Sequence, residues 1–187
     1  MEATKQRRRF TVDDYYRMAE TGILLPDERV ELIEGQVVVV PPIGSPHAWS
    51  VDSLTRVLVP AVGDRAIVRV QGPVRIDEYS EPEPDLSLLR PGPERYHASH
   101  PTPEDVLLVV EVAHTRALHD RSVKLPLYAR AGIPEYWIVD LGREVVEVYR
   151  SPEAGTYASS YEARAGTTIA PEAFPDVALD AGVILKP

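Results

Sequence analysis

The chain has 187 residues, of which 44% are apolar and 26% charged, and this composition is typical of a globular protein rather than a disordered or fibrous one. Its formal net charge of −9 argues against a protein that coats nucleic acid non-specifically, because such binding depends on neutralising phosphates with Lys and Arg. It has no cysteine, which excludes disulfides, thiolate zinc sites and a cysteine nucleophile, and fits a cytoplasmic location.

Residues 1–9 carry a basic cluster, Lys5 and Arg7 to Arg9. We interpret this stretch as a mobile, solvated tail rather than as an arm that binds nucleic acid. No apolar run follows the basic residues, so the stretch does not resemble a secretory signal, and apolar runs such as Val106 to Val110 are too short to span a membrane. We therefore expect no membrane association, and a single domain over residues 10–187.

The first half of the chain predicts two helices, a hairpin and several short strands. Thr11 is a suitable cap for a first helix, and Ser45 followed by a proline indicates the start of a second. Between them, two β-rich runs flank Glu34 and Gly35, a pair typical of a tight hairpin turn. The alternating run RAIVRVQGPVRI then predicts two strand pieces, and EPDLSLL predicts another short strand.

The second half begins with VLLVVEVA, which is apolar on both faces and therefore predicts a central strand covered on both sides. A helix over ALHDRSVKLPLYARAG follows and ends at Gly132; Pro126 requires that it either begin just before the proline or bend there. Two strands, an edge strand and a short closing element complete the chain, with Tyr128, Tyr136 and Trp137 in the core. This alternation predicts an α/β fold with a mixed central β-sheet flanked by helices.

Glu111 is the most informative residue, because it lies inside the buried run VLLVVEVA. A carboxylate there costs several kcal/mol unless it is paired or coordinates a cation. A buried salt bridge would explain it, and so would a functional carboxylate; we favour the second interpretation.

Asp85 and Lys124 are weaker signals when each is taken alone. Asp85 follows a proline at the start of a short strand, and a Pro-Asp pair is also common in turns. Lys124 stands thirteen residues after Glu111 and four after Asp120, so an ordinary surface ion pair would also explain it. Together the three residues indicate more, since two carboxylates can hold a divalent ion while a lysine positions water or stabilises a phosphate.

Four segments, in this order, resemble the bacterial Uma-type restriction endonuclease family, within the PD-(D/E)XK nuclease superfamily: VELIEG, EPDLSLL, VVEVAHTRALHDRSVK and LYARAGIPEYWIVDL. The resemblance covers most of the chain, and the run KLPLYARAGIPEYWIVDL is its most specific part. It implies a restriction-endonuclease-like fold and metal-dependent hydrolysis of phosphodiester bonds.

The same resemblance implies that Asp85 and Glu111 are ligands of Mg²⁺ or Mn²⁺, and that both act in catalysis with Lys124. In the superfamily the lysine usually stands two residues after the second acid, a position that Ala113 occupies here. The resemblance therefore implies that the catalytic lysine lies on the following helix, at Lys124. Glu31 matches an early acid of the superfamily and is expected to support the metal site, with a structural salt bridge as the alternative.

The expected function is thus a metal-dependent endonuclease acting on nucleic acid, DNA rather than RNA. Cutting both strands of a duplex calls for two sites, so we expect a homodimer or a higher homo-oligomer. The alternative is a catalytically inactive nuclease fold that serves as a binding or assembly module. The acidic net charge favours this alternative, whereas an acid retained within an apolar strand disfavours it.

Overall fold

The computed structural model describes residues 8–92, 96–114 and 117–186, which divide into two compact units. Unit 1 comprises the described residues up to Pro42 together with Arg75–Pro82. Unit 2 comprises Ile43–Val74 and the described residues from Glu83 onward. The predicted tail lies mostly outside the described residues, and the prediction of one domain over residues 10–187 stays a prediction.

Unit 1 contains one helix and one antiparallel two-stranded sheet: α1 (Val12–Glu20), β1 (Val30–Ile33) and β2 (Gln36–Val39). Thr11 caps α1 as predicted, because its hydroxyl oxygen accepts a hydrogen bond from the backbone N–H of Asp14. In return, the carboxylate of Asp14 accepts a hydrogen bond from the backbone N–H of Thr11. The hairpin turns at Glu34 and Gly35, whose φ angles of 50° and 79° suit a type I′ turn.

Unit 2 is built on a six-stranded sheet whose strands follow chain order: β3 (Ile67–Val70), β4 (Leu86–Leu89), β5 (Val106–Ala113), β6 (Glu135–Asp140), β7 (Val145–Glu153) and β8 (Thr156–Ala163). Only the β5–β6 pair is parallel, so the sheet is mixed, as predicted. Its remaining elements are α2 (Ser45–Val62), α3 (Ala117–His119), a π-helical turn (Asp120–Lys124), α4 (Leu125–Arg130), α5 (Gly182–Leu185), and a small sheet of β9 (Thr168–Ile169) and β10 (Leu179–Asp180). Short 3₁₀ turns cover Gly63–Arg65 and Pro103–Asp105.

The prediction of a second strand piece in RAIVRVQGPVRI is wrong. β3 occupies the first piece, but the residues after Pro73 form no regular strand in the described chain. Proline cannot donate a ladder hydrogen bond. Farther on, the N–H groups of Ile76 and Asp77 both donate to the carbonyl of Ser80, so this segment closes as a local turn.

The two faces of the sheet carry different helices. Val110 and Val112 of β5 belong to the apolar core beneath α2 and α5. Because side chains alternate along a strand, Glu111 points to the opposite face, which the α3–α4 segment covers. The fold thus buries an acid under a helix, while the other face keeps an uninterrupted apolar core.

The α3–α4 segment accommodates Pro126 by changing its winding. The N–H of Leu125 bonds the carbonyl of Asp120, five residues earlier, and α4 then begins so that Pro126 is its second residue. At that position the missing N–H would have no helical partner anyway. π-helical turns of this kind are rare and recur at functional sites. No helix among the described ranges is long and apolar enough to cross a membrane.

Candidate active site

A row of acids crosses the covered face of the sheet in unit 2. The register pairs Glu111 of β5 with Ile138 of β6, Ile138 with Glu147 of β7, and Glu147 with Glu162 of β8. These cross-strand neighbours point to the same face. Ile138, with no exposed surface, divides the row into a cluster around Glu111 and one around Glu147.

Asp85 lies just before β4, beside the Glu111 end of this row. Leu86 pairs with Val110, so the register continued by one residue sets the backbone of Asp85 opposite that of Glu111. The Oδ2 atom of Asp85 accepts the backbone N–H of Val112 at 2.8 Å. This bond fixes the carboxylate beside the strand position that follows Glu111.

The Oε1 atom of Glu111 receives two donors from the α3–α4 segment. Lys124 Nζ lies 2.9 Å from it, and the hydroxyl of Tyr128 donates to it at 2.9 Å. All three side chains are buried; Glu111 and Lys124 each expose 5% of their surface. Such burial of two charges is tolerated because each charge is paired and hydrogen-bonded.

With this geometry established, the chain can be compared with known proteins. The model of the Uma2 family, described as "Putative restriction endonuclease", matches residues 12–182. The chain belongs to this family. A solved structure, "a putative nuclease belonging to DUF820" from Anabaena variabilis ATCC 29413, matches with a TM-score of 0.72 and 15% identity over 94% of this chain and 97% of that one. At that identity the match shows the fold alone, and it confirms the predicted fold class. No curated protein matches the chain.

In this Uma2-family chain the lysine reaches Glu111 from the helix and not from the strand. Ala113, at the position where the superfamily usually has its lysine, is buried with 1% exposure. The π-helical turn instead carries Lys124 over the sheet to Glu111. The structure therefore brings Lys124 to Glu111 and sets the backbone of Asp85 opposite that of Glu111 within unit 2, while the catalytic and metal-binding roles of the three residues stay predictions.

Glu31 lies in unit 1, on β1 opposite Val38, and is buried with 5% exposure. Its supporting role at a metal stays a prediction, as does the alternative of a structural ion pair.

His47 contacts Asp85 from the first turn of α2. Its Nε2 lies 3.0 Å from Asp85 Oδ2, which is hydrogen-bonding distance. The other ring nitrogen, Nδ1, is buried without a hydrogen-bond partner among the described residues. His47 and the Val112 amide thus both contact Oδ2 of Asp85.

Arginines surround the second cluster of the row. Arg121 contacts both Glu147 and Asp140, and Arg143 bridges Glu147 to Glu162. Burial alone would raise the pKa of Glu147, but hydrogen bonds from Arg121 and Tyr149 and the charges of both arginines outweigh it and lower that pKa.

The carboxylate oxygens of Asp85 and Glu111 are the type of ligand that a hard divalent ion binds. Within the described ranges no three His, Asp or Glu side chains are placed so that they could hold a metal. Two carboxylates nevertheless match Mg²⁺, which keeps several waters and takes one or two protein carboxylates plus substrate oxygens. Oδ1 of Asp85 accepts no hydrogen bond in the part of the chain that the structure describes, so an acceptor oxygen remains for such an ion.

The sequence pattern predicts Tyr128 only as a core residue. It is fully buried as predicted, but its hydroxyl also binds Glu111. A signal for this contact is present in the sequence, because Tyr128 follows Lys124 by four residues and so shares its helix face.

Proposed function

We propose that this Uma2-family chain is a metal-dependent endonuclease that hydrolyses phosphodiester bonds of nucleic acid. The observation that carries the proposal is the buried contact of Lys124 with Glu111, whose strand neighbour in the register is Asp85. Two acids and a lysine in one cluster are the groups that metal-assisted phosphoryl chemistry needs.

Asp85 and Glu111 would supply the oxygen ligands of Mg²⁺ or Mn²⁺. The ion, when bound, would polarise the scissile phosphate and acidify the attacking water. The protein's own contribution begins with Asp85, whose Oδ2 is held by the Val112 amide and by His47, so the carboxylate needs no reorganisation.

Lys124 would orient the attacking water or stabilise the charge that develops on the phosphate. Its ammonium is already desolvated, since the side chain is 7% exposed, and electrostatic interactions are stronger in such a site than in water. Attack would form the bond from water oxygen to phosphorus and break one phosphorus–ester oxygen bond. The attacking water would lose a proton to the solvent, and the departing oxygen would take a proton from the solvent to leave as a hydroxyl group.

DNA as the substrate and a cytoplasmic location complete the proposal, and both come from the sequence alone. A homodimer is also proposed, because two sites are needed to cut both strands of a duplex. Light scattering at micromolar concentration should give twice the chain mass. A particle of 20.7 kDa would contradict the dimer.

A digestion panel tests the proposed activity. Supercoiled plasmid, linear duplex, single-stranded DNA and RNA are each incubated with Mg²⁺, Mn²⁺ or Ca²⁺ and with the parent or Asp85→Asn. We expect metal-dependent cleavage by the parent and none by Asp85→Asn, whose amide oxygen can still accept from Val112 and preserve the fold. Absence of cleavage by a folded parent in every lane would favour the alternative, a nuclease-fold binding module.

A further inference from the structure

The two donors on Glu111 Oε1 come from one helical face. Lys124 and Tyr128 are four residues apart, and both reach the same oxygen at 2.9 Å. A single carboxylate oxygen thus has a charged donor and a neutral donor from neighbouring positions of the α3–α4 segment.

The two donors differ in how firmly they are held. Lysine has four rotatable side-chain bonds and an ammonium that can donate in several directions. The ring of Tyr128 has two side-chain torsions, is fully buried, and packs edge-on against Tyr136 with centroids 5.0 Å apart. The tyrosine hydroxyl is therefore the rigid donor, and the ammonium is the one that can turn away.

We propose that Tyr128 is a positioning residue, whose hydroxyl holds Glu111 in its ligand orientation when Lys124 turns to the water or phosphate. The inference rests on the proposed function, since it presumes that Glu111 binds a metal and that Lys124 serves the substrate. With Tyr128 in place, Oε1 keeps a hydrogen bond throughout, so the buried carboxylate neither rotates nor loses its partner.

Tyr136 provides a matched control within the same aromatic cluster. It has the same buried ring and contacts Tyr128, but its hydroxyl has no hydrogen-bond partner among the described residues. Tyr128→Phe and Tyr136→Phe each remove one buried hydroxyl and keep the ring. The two variants therefore differ in the loss of the bond to Glu111.

The first readout is calorimetric titration with Mn²⁺. We expect Tyr128→Phe to weaken Mn²⁺ binding about 10- to 100-fold, the usual loss when a group that orients a metal ligand is removed. Tyr136→Phe should stay within about twofold of the parent. In cleavage assays Tyr128→Phe should lower kcat and leave KM for nucleic acid unchanged, because the hydroxyl does not touch the substrate. Equal Mn²⁺ affinities for the two variants would overturn the proposal.

The second readout separates this inference from the proposed function. Urea midpoints are measured for Tyr128→Phe, Glu111→Gln and the double variant, without metal or substrate. If Tyr128 holds Glu111, the shifts of the single variants are non-additive in the double variant. Additive shifts would overturn the positioning role even if the enzyme cleaves DNA. Non-additive shifts in a parent that binds no Mn²⁺ would retain the Tyr128–Glu111 contact as structural and overturn both its positioning role and the metal site.

Discussion

Two carboxylates in one row of the sheet, Glu111 and Glu147, lie under the same helical segment and have different partners. Lys124 and Tyr128 contact Glu111 through Oε1. Glu147 is contacted on both oxygens, by Arg121, by Arg143 and by the hydroxyl of Tyr149. Both acids are nearly inaccessible, with side-chain exposures of 6%.

The two clusters differ in the type of cation that meets the acid, and not in the burial of the acid itself. A guanidinium remains charged and engages a carboxylate with a planar fork, so the Arg121–Glu147 pair forms a closed structural contact. An ammonium is a compact charge on a flexible stem, and it can leave its carboxylate for another anion. We therefore interpret the Glu147 cluster as a structural support and the Glu111 cluster as the chemical site.

Exchanging each acid for its amide breaks the comparison most directly. We expect Glu111→Gln to lower cleavage on the order of 10²–10³-fold, the usual loss of one preorganised electrostatic group. Glu147→Gln should keep activity and lose about 1–3 kcal/mol of stability, because the two arginines lose an ionised acceptor. Cleavage rates and urea unfolding of both variants check this. If Glu147→Gln loses more activity than Glu111→Gln, the assignment of the two clusters is reversed.

Lys124→Met removes the ammonium and keeps most of the stem. Cleavage should fall by a factor on the order of hundreds. The fold should survive, since relief from burying an ammonium offsets part of the lost pair. Mn²⁺ affinity should hold or rise, because a positive charge has left the metal's surroundings. A Lys124→Met variant that cleaves as fast as the parent at saturating Mg²⁺ would remove Lys124 from the site.

Arg121→Lys tests the Arg121–Glu147 contact by changing the cation instead of the acid. A lysine keeps the charge but cannot engage Glu147 and Asp140 with one planar fork. We expect a loss of about 1 kcal/mol, or about 2–4 °C in thermal midpoint for a chain of this size, with cleavage unchanged. Differential scanning calorimetry measures the shift, and Lys186→Arg, which is exposed, serves as the control.

The pH dependence of stability gives the smallest expected effect. The folded pKa of Glu147 lies below its ordinary value of 4.5, so its ionised form adds stability that is complete above that value and is lost as pH falls through the folded pKa. Unfolding curves of parent and Glu147→Gln should therefore converge as pH drops below about 4.5.

Burial raises the pKa of Glu135, despite its bonds to Glu172, Trp137 and Arg150. The difference between parent and Glu135→Gln should thus change with pH in the opposite direction.

The burial of Glu111 could be predicted from the sequence, because apolar residues flank it on both sides within VLLVVEVA. The capped first helix, the Glu34–Gly35 hairpin and the edge strand were predictable for the same local reason, since each depends on neighbouring residues. Asp85 carried only a weak signal in its own segment. Its place beside Glu111 depends on strand register, a long-range property that no local pattern specifies.

The pairing of Arg121 with Glu147 and the resulting difference between the two clusters could not be predicted. Both depend on the π-helical turn, which arises where Pro126 limits how the preceding helix can continue. The sequence predicts which residues belong to this helix, whereas the tertiary structure determines which acid each of them contacts.

Calorimetric titration of Mn²⁺ into parent, Asp85→Asn and Glu147→Gln tests whether the metal binds at the Glu111 cluster, and it needs neither the substrate nor turnover. We expect the parent and Glu147→Gln to bind Mn²⁺ with similar affinity, and Asp85→Asn to lose binding by at least about 10-fold. Equal binding by Asp85→Asn and the parent, or a loss in Glu147→Gln alone, would contradict the assignment of the metal to the Glu111 cluster.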